Sequence, residues 1–395
     1  MRSLSFSKSG LTKVRSYQFE LKASDFEESL KSMIPGEWFF VKAGSEFWTG
    51  YANPNIQEKY ACAQILEKVA PDELDVFTPE KYIVAKIQKA YSKRSVWEGY
   101  GNNARIFYGA SDGLPGLIID NFENASIVQI NTAGIDRFRE LIKDCVNRLT
   151  STPVHFLDNP KYREKEALPV YPNEQLPELR VNENGLKYLI RPEVLQKIGF
   201  YYDHRENRLQ LMNVINRLKN KPRNGLDLFS YAGAWGMSAL QAGVEAVTFV
   251  DQGEFGPEVM TALETNGFGN RGKFLRSDVF KYLDQAQAAG ELFDLILCDP
   301  PAFAKSVLQK SQALEGYSKL HRKVFKALTT GSVVAFSSCT HYVSHDEFQK
   351  NILEASYKEN RRIQLVYSGI QGLDHPISSL SDRANYIKSY FYIVE

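Results

Sequence analysis

Paired cysteines are missing from this chain. Its four cysteines, Cys62, Cys145, Cys298 and Cys339, are scattered over 395 residues with no CxxC pair, which argues against a disulfide framework and a cysteine-based zinc site. Long apolar runs are missing too. The start, MRSLSFSKSG, lacks the continuous apolar core of a signal peptide, and nothing elsewhere is long and apolar enough to cross a bilayer, so the expectation is a soluble cytoplasmic protein without a membrane partner. Neither sign of charge dominates. With 48 Lys and Arg against 47 Asp and Glu, the net charge of +1 excludes a uniformly basic nucleic-acid binder and leaves room only for a local basic face. What is present is ordinary globular composition, 43% apolar and 12% aromatic, in a chain too long for one core. Two to three domains are expected.

Residues 1–80 are rich in aromatics and turn formers, as in PGEWFFVKAGSEFWTGYANP, and read as small β strands broken by Gly and Pro. Residues 81–200 read as an α+β segment. VFTPEKYIVAKIQKAYSKR has helical spacing, RIFYGASDGLPGLIIDNFENASIVQIN reads as strand, glycine turn, strand and strand, IDRFRELIKDCVNRL is an amphipathic helix, and LRVNENGLKYLIRP is a hairpin. Within residues 201–395 the pattern changes, from about Arg223 onward, to strands alternating with helices, the signature of an α/β, doubly wound and mostly parallel sheet. In such sheets ligands gather beyond the carboxyl ends of the strands. Asp227, the run Phe229 to Gly233, Asp251, Asp278, Asp299 and Cys339 all fall at or near strand ends.

Two ligands compete for that place, a dinucleotide and S-adenosylmethionine. The turn SYAGAWG has Gly233 and Gly236 but not GxGxxG spacing, and Tyr231 and Trp235 crowd the place where a pyrophosphate would lie. Asp251 suits the ribose diol of either ligand. Asp278 suits an adenine, its carboxylate facing the exocyclic amine while the Val279 amide faces a ring nitrogen. The sharper signal is DPPAF, Asp299 to Phe303, after an apolar strand. Two prolines make a rigid extended turn without amide donors, and Phe303 offers a flat face for a flipped base. A methyl-donor site is then expected from Asp227, Phe229, Ser230, Tyr231, Gly233, Asp251, Asp278, Val279 and Asp299.

Taken in order, WFFVKAGSEFWTGYANP, SDGLPGLIIDNF, LQKIGFYYDHRENR, DLFSYAGAWGMSAL, ALETNGF, DPPAF, ALEGYSKL, SSC, DHP and YIKSY run through essentially the whole chain. The sequence resembles the bacterial and archaeal PUA-domain methyltransferases that make 5-methylcytosine in large-subunit ribosomal RNA. That resemblance implies an N-terminal PUA-like RNA-binding domain over 1–80, a central α+β domain over 81–200, and over 201–395 a seven-stranded methyltransferase sheet with its last strand reversed. It also implies S-adenosylmethionine as donor and large-subunit ribosomal RNA or a pre-ribosomal particle as partner, and it leaves room for a homodimer. Three places depart from the family: His204 stands where a glutamine is usual, Thr340 follows the cysteine in place of serine, and QGEFGPEV after Asp251 is rich in glycine.

Carbon 5 of cytosine is a poor nucleophile, and a thiolate that adds at carbon 6 makes it enamine-like. Cys339 is placed for that role, and needs a positive or hydrogen-bonding neighbour to be deprotonated. Asp299, in a turn poor in donors, could be kept partly protonated and hydrogen-bond N3. The base that removes the carbon-5 proton is left open between His341, water and another group. Cys298 precedes Asp299 and by strand alternation points into the core, with Cys62 and Cys145 read likewise. Ala302 stands where some two-cysteine RNA methyltransferases carry a second cysteine for release. The histidines lack further ligands at useful spacing, so no metal is expected. RNA contacts are sought in RLKNKPRNG (217–225), KAYSKR (89–94) and the aromatics Trp38 and Trp48, but charge runs are usually solvated faces and aromatics usually core, so no single contact is named. Two alternatives remain at this level: a same-fold enzyme acting on a purine nitrogen of RNA, and a non-catalytic RNA-binding assembly factor.

Overall fold

The structure is a computed structural model that describes residues 1–57, 60–100, 102–172, 174–195, 199–377 and 385–395. Part of the quoted LQKIG motif, residues 196–198, lies outside the described residues. The chain forms two compact units, one built from Met1–Pro177 and the other from Glu178–His375 with the C-terminal strand.

The first unit holds two sheets. Strands Arg2–Ser5, Glu20–Leu21, Glu37–Ala43, Glu46–Ala52 and Ala63–Val69 form a five-stranded mixed sheet, and Ala104–Tyr108, Leu117–Asn121, Ser126–Ile130 and Val154–Phe156 a four-stranded one. Helices Pro79–Ser95 and Arg139–Thr150 fall where their spacing predicts them. Trp38, left open between an RNA-facing platform and the core, is 5% exposed and belongs to the core. Its indole donates to the Gly134 carbonyl at 3.0 Å and its ring packs against Tyr51, Phe77, Tyr82 and Phe138. A large ring with one polar handle satisfied is worth more inside than out. Trp48 is half-buried under Lys68. The basic run 89–94 is also divided: Lys89 and Lys93 are exposed, but Arg94 is buried, and its guanidinium grips Asp112 at 2.8 and 2.6 Å.

The hairpin Leu179–Glu183 with Leu186–Ile190, expected inside 81–200, packs with the second unit. Glu183 takes Arg208 at 2.6 Å, Lys187 N–H donates to Asn266 at 2.9 Å, and Arg191 pairs with Glu258 at 2.5 Å. The second unit's main sheet has seven strands: β1 (Asn224–Leu228), β2 (Ala246–Asp251), β3 (Gly272–Arg276), β4 (Phe293–Cys298), β5 (Leu328–Ser338), β6 (Ile363–Gly369) and β7 (Lys388–Val394), in the order β3-β2-β1-β4-β5-β7-β6. The five strands from β3 to β5 run parallel, whereas β7 is antiparallel to both its neighbours. The helices are α1 (Arg205–Arg217), α2 (Ala234–Gln241), α3 (Gly256–Thr265), α4 (Val279–Ala288), α5 (Lys310–Lys326) and α6 (His345–Lys358).

Continuous apolar strands such as FDLILC need cover on both faces. Leu228, Ile296, Tyr317, Leu320, Phe336 and Phe348 belong to one buried cluster that includes Cys298. Cys62 and Cys145 are buried as well. Burial pushes all three thiols up, Cys298 the most, so each is an inert small hydrophobe. Strand order reverses between β1 and β4, so the crevice beyond their carboxyl ends is where this fold places a ligand. Among the described residues no helix is long and apolar enough to cross a membrane.

The Arg94–Asp112 pair is 3% and 1% exposed at its side chains, and removing one partner strands the other charge. Asp112→Ala is expected to destabilise the first unit by about 3–5 kcal/mol, read as a lower denaturant midpoint. A midpoint unchanged from the parent would show the pair to be dispensable.

Candidate active site

A cavity of about 410 Å³ opens at that crevice, walled by Phe229, Ser230 and Tyr231 after β1, Asp251 at the end of β2, Asp299 to Ala302 after β4 and Cys339 after β5. His204 and Trp235 complete the wall near Asp299.

The loop after β1 is strained. Phe229, Tyr231 and Gly233 have φ of 60°, 46° and 79°, and a non-glycine residue in such a conformation costs about 1–3 kcal/mol. The strain is offset by anchors. Ser230 N–H donates to Val250 O at 3.2 Å, Tyr231 N–H to an Asp251 oxygen at 3.0 Å, and the Tyr231 hydroxyl to Gly199 O at 2.7 Å. Gly233 caps α2, and one turn on Gly236 N–H donates at 2.8 Å to the buried carboxyl of Asp227. A Cβ on Gly236 would lie 2.3 Å from the Phe249 ring, so only glycine lets α2 approach that closely.

Three acids meet here in three different states of support. Asp227 is 1% exposed, and burial, with Asp299 and Asp251 adding their charges, pushes its pKa well above the ordinary carboxylate range against the single Gly236 hydrogen bond. Asp251 accepts from two amides, Gly253 at 2.8 Å and Tyr231 at 3.0 Å, which fix its carboxylate at the cavity wall. Asp299 accepts from the Trp235 indole at 3.0 Å. The donor that the two prolines deny it from the backbone therefore arrives from a side chain of α2.

His204 is buried beside Asp299, its Nε2 3.5 Å from the same carboxylate oxygen. Asn207 donates to Ile370 O at 3.0 Å and accepts from the Tyr367 hydroxyl at 3.0 Å, so its amide nitrogen also faces His204 Nδ1 at 3.2 Å. That network makes Nδ1 the acceptor and assigns the proton to Nε2, toward Asp299. Thr340 is not idle either: its hydroxyl donates to Ala304 O at 3.0 Å, tying the cysteine turn to the segment after DPP.

Other expected residues fall outside the wall. Gly233 and Asp227 support the loop from beneath it. Asp278 is exposed and caps α4, accepting from Lys281 N–H at 2.9 Å, and Val279 is buried in the core. Phe303 does not line the cavity, and Tyr317 stacks on one of its faces with centroids 4.6 Å apart. The cavity's aromatic lining is Phe200, Tyr201, Phe229, Tyr231 and Trp235 instead. His341 is exposed, its ring 5.2 Å from Tyr386. The basic run 217–225 ends at the start of β1, the opposite edge of the sheet from the cavity. Among the described residues no group of three or more His, Cys, Asp or Glu is arranged to hold a metal ion.

Lys388 was not among the expected site residues. It is 1% exposed and its ammonium donates to Thr340 O at 2.6 Å and Tyr386 O at 2.9 Å. Its signal in the sequence was a lone charge heading the apolar run SYFYIV.

A family model for S-adenosylmethionine-dependent methyltransferases matches residues 125–364. The chain belongs to that family. Ribosomal RNA large subunit methyltransferase I of Yersinia pseudotuberculosis serotype O:1b and that of Yersinia pestis are each 30% identical to it over 343 residues, 83% of this chain and 84% of theirs. A Streptococcus mutans structure described as an S-adenosylmethionine-dependent methyltransferase covers 99% of this chain and 100% of its own, at 18% identity and a TM-score of 0.74, a likeness of fold. The methyl donor of this methyltransferase is S-adenosylmethionine, and its cavity fits that group. Ser230 Oγ is buried without a hydrogen-bond partner among the described residues, and Asp251 presents a carboxylate at the strand end, chemistry that suits a ribose diol.

Asp251→Ala removes the acceptor for both amides and the carboxylate a ribose diol would need. It is expected to weaken S-adenosylhomocysteine binding at least about tenfold by calorimetry, the scale of one or two charge-assisted hydrogen bonds. Unchanged affinity would place the ribose elsewhere.

Proposed function

We propose that this methyltransferase forms 5-methylcytosine in large-subunit ribosomal RNA through a covalent adduct of Cys339. The observation that carries the reading is that Cys339 and Asp299 open onto the same cavity as the strained loop after β1. The names of the Yersinia relatives support the substrate class. The five-stranded sheet of residues 2–69 is assigned the PUA-like, RNA-binding role, and Asp278 with the Val279 amide the adenine end of the donor beyond Asp251.

The target base leaves its stack to enter the cavity. The Cys339 thiolate adds to carbon 6 as the ring's electron pair moves toward N3, where Asp299, as a protonated carboxyl oriented by the Trp235 indole, donates a hydrogen bond. Bound S-adenosylmethionine supplies an electrophilic methyl group. After carbon 5 is alkylated, a base removes its proton and the carbon–sulfur bond breaks, returning the thiolate. With Ala302 at the place of a second cysteine, release falls to the chain's remaining groups.

The test is to incubate the protein with isotopically labelled S-adenosylmethionine and unmodified ribosomal RNA, digest to nucleosides and identify the labelled species by mass spectrometry. Labelled 5-methylcytidine is expected, with Cys339→Ala lowering turnover at least about a thousandfold while donor binding persists. A labelled methylguanosine or methyladenosine would sink the proposal in favour of a purine nitrogen, and no label would favour a binding factor.

A further inference from the structure

Lys388 raises a problem of charge. It stands opposite Ser338 in the antiparallel β5–β7 pair, one residue before Cys339, and its two carbonyl acceptors use two of the three N–H bonds of an ammonium. Among the described residues it makes no ion pair with a carboxylate. A buried ammonium without an anion costs several kcal/mol, and burial lowers its pKa to about 8, while charge on Cys339 pulls it back up.

The groups around it narrow the search for the missing anion. His345 of α6 feels the Lys388 charge, is itself held down by burial, and hydrogen-bonds the Tyr390 hydroxyl at 3.1 Å. It has no anionic form at neutral pH. Tyr390 is pushed up by burial, as are Tyr317 and Tyr201, the two phenols that feel charge on Cys339. Asp203 accepts from the Tyr386 hydroxyl at 2.7 Å, and Asp346 acts on His345 and Tyr390 from an exposed position. Asp299 is engaged by the Trp235 indole at 3.0 Å and by His204 Nε2 at 3.5 Å. Among the described residues, only the Cys339 sulfur remains.

We infer that Lys388 holds Cys339 as a thiolate in the resting protein, forming a buried ammonium–thiolate pair. The proton of the sulfhydryl resides on Nζ: a thiol and a neutral amine become a thiolate and an ammonium, with no other reactant. Lys388 is thus a positioning residue that acts through the sulfur. This deepens the cytosine reading, because the same ammonium receives the thiolate expelled when the adduct breaks down, a service that Ala302 cannot give.

The test needs no RNA. Full-length protein is alkylated with iodoacetamide from pH 5.5 to 9.5, and the rate at Cys339 alone is followed by peptide mass spectrometry, which separates it from Cys62, Cys145 and Cys298. The wild-type rate is expected to reach half its plateau below the pH of about 8.5 usual for a free thiol. Losing the positive charge disfavours the thiolate, so the Lys388→Met profile is expected to move to higher pH. Alkylation at pH 7 is then at least about tenfold slower, because the thiolate fraction below the half-point falls roughly tenfold for each pH unit. Superimposable profiles would overturn the inference. So would a wild-type half-point at or above about 8.5, which decides the matter even if Lys388→Met fails to fold by circular dichroism. A low wild-type half-point together with a labelled methylpurine would leave the ion pair standing and overturn only the cytosine reading.

Discussion

The hydrogen bond from Gly236 N–H to the buried carboxyl of Asp227 is the contact on which the site depends. It joins the start of α2 to β1 at a distance that a single methyl group on Gly236 would forbid, because the Phe249 ring already fills that space. With α2 held there, the chain between the two elements has only five residues in which to turn, and it does so through left-handed conformations at Phe229, Tyr231 and Gly233. The same docking sets Trp235, whose indole reaches Asp299 after β4. One backbone contact thereby positions both the loop proposed to face the donor and the acid proposed to face the base.

The electrostatics follow from how unevenly the site's acids are supported. Asp251 has two backbone amides, Asp299 one indole, and Asp227 one amide in deep burial. Like charges this close cannot all be ionised without a penalty, and the most buried of them, Asp227, is the one pushed toward its neutral form. Environment rather than residue type assigns the roles, as in other sites where neighbouring carboxyl groups are driven apart. Positive charge is supplied on the opposite side, by Lys388 beneath the cysteine turn.

Much of the second unit was legible in the sequence because its signals are local. Apolar runs of strand length alternating with helical periodicity predicted the parallel sheet, and the acids after those runs marked the carboxyl ends where ligands gather. Strand alternation separated Cys298, now buried in the core cluster, from Asp299 beside it, which faces the cavity. The same local reasoning misplaced Phe303 and left Trp38 open between core and an RNA face. Aromatic residues in turn-rich segments look like exposed stacking platforms, but Trp38 is held by Gly134, 96 residues away in sequence, and Phe303 is covered by Tyr317 from α5.

By itself, then, the sequence determined the elements, their alternation and which residues end the strands, since each is a matter of period and neighbouring turn chemistry. The tertiary structure decided which of those ends share a cavity, that Asp299 takes the Trp235 indole, and that the ammonium of Lys388 meets the turn after Cys339. Those pairings join residues tens of positions apart through strand order and a reversed last strand. Periodicity reports which face of an element is buried and carries no information about what is buried against it.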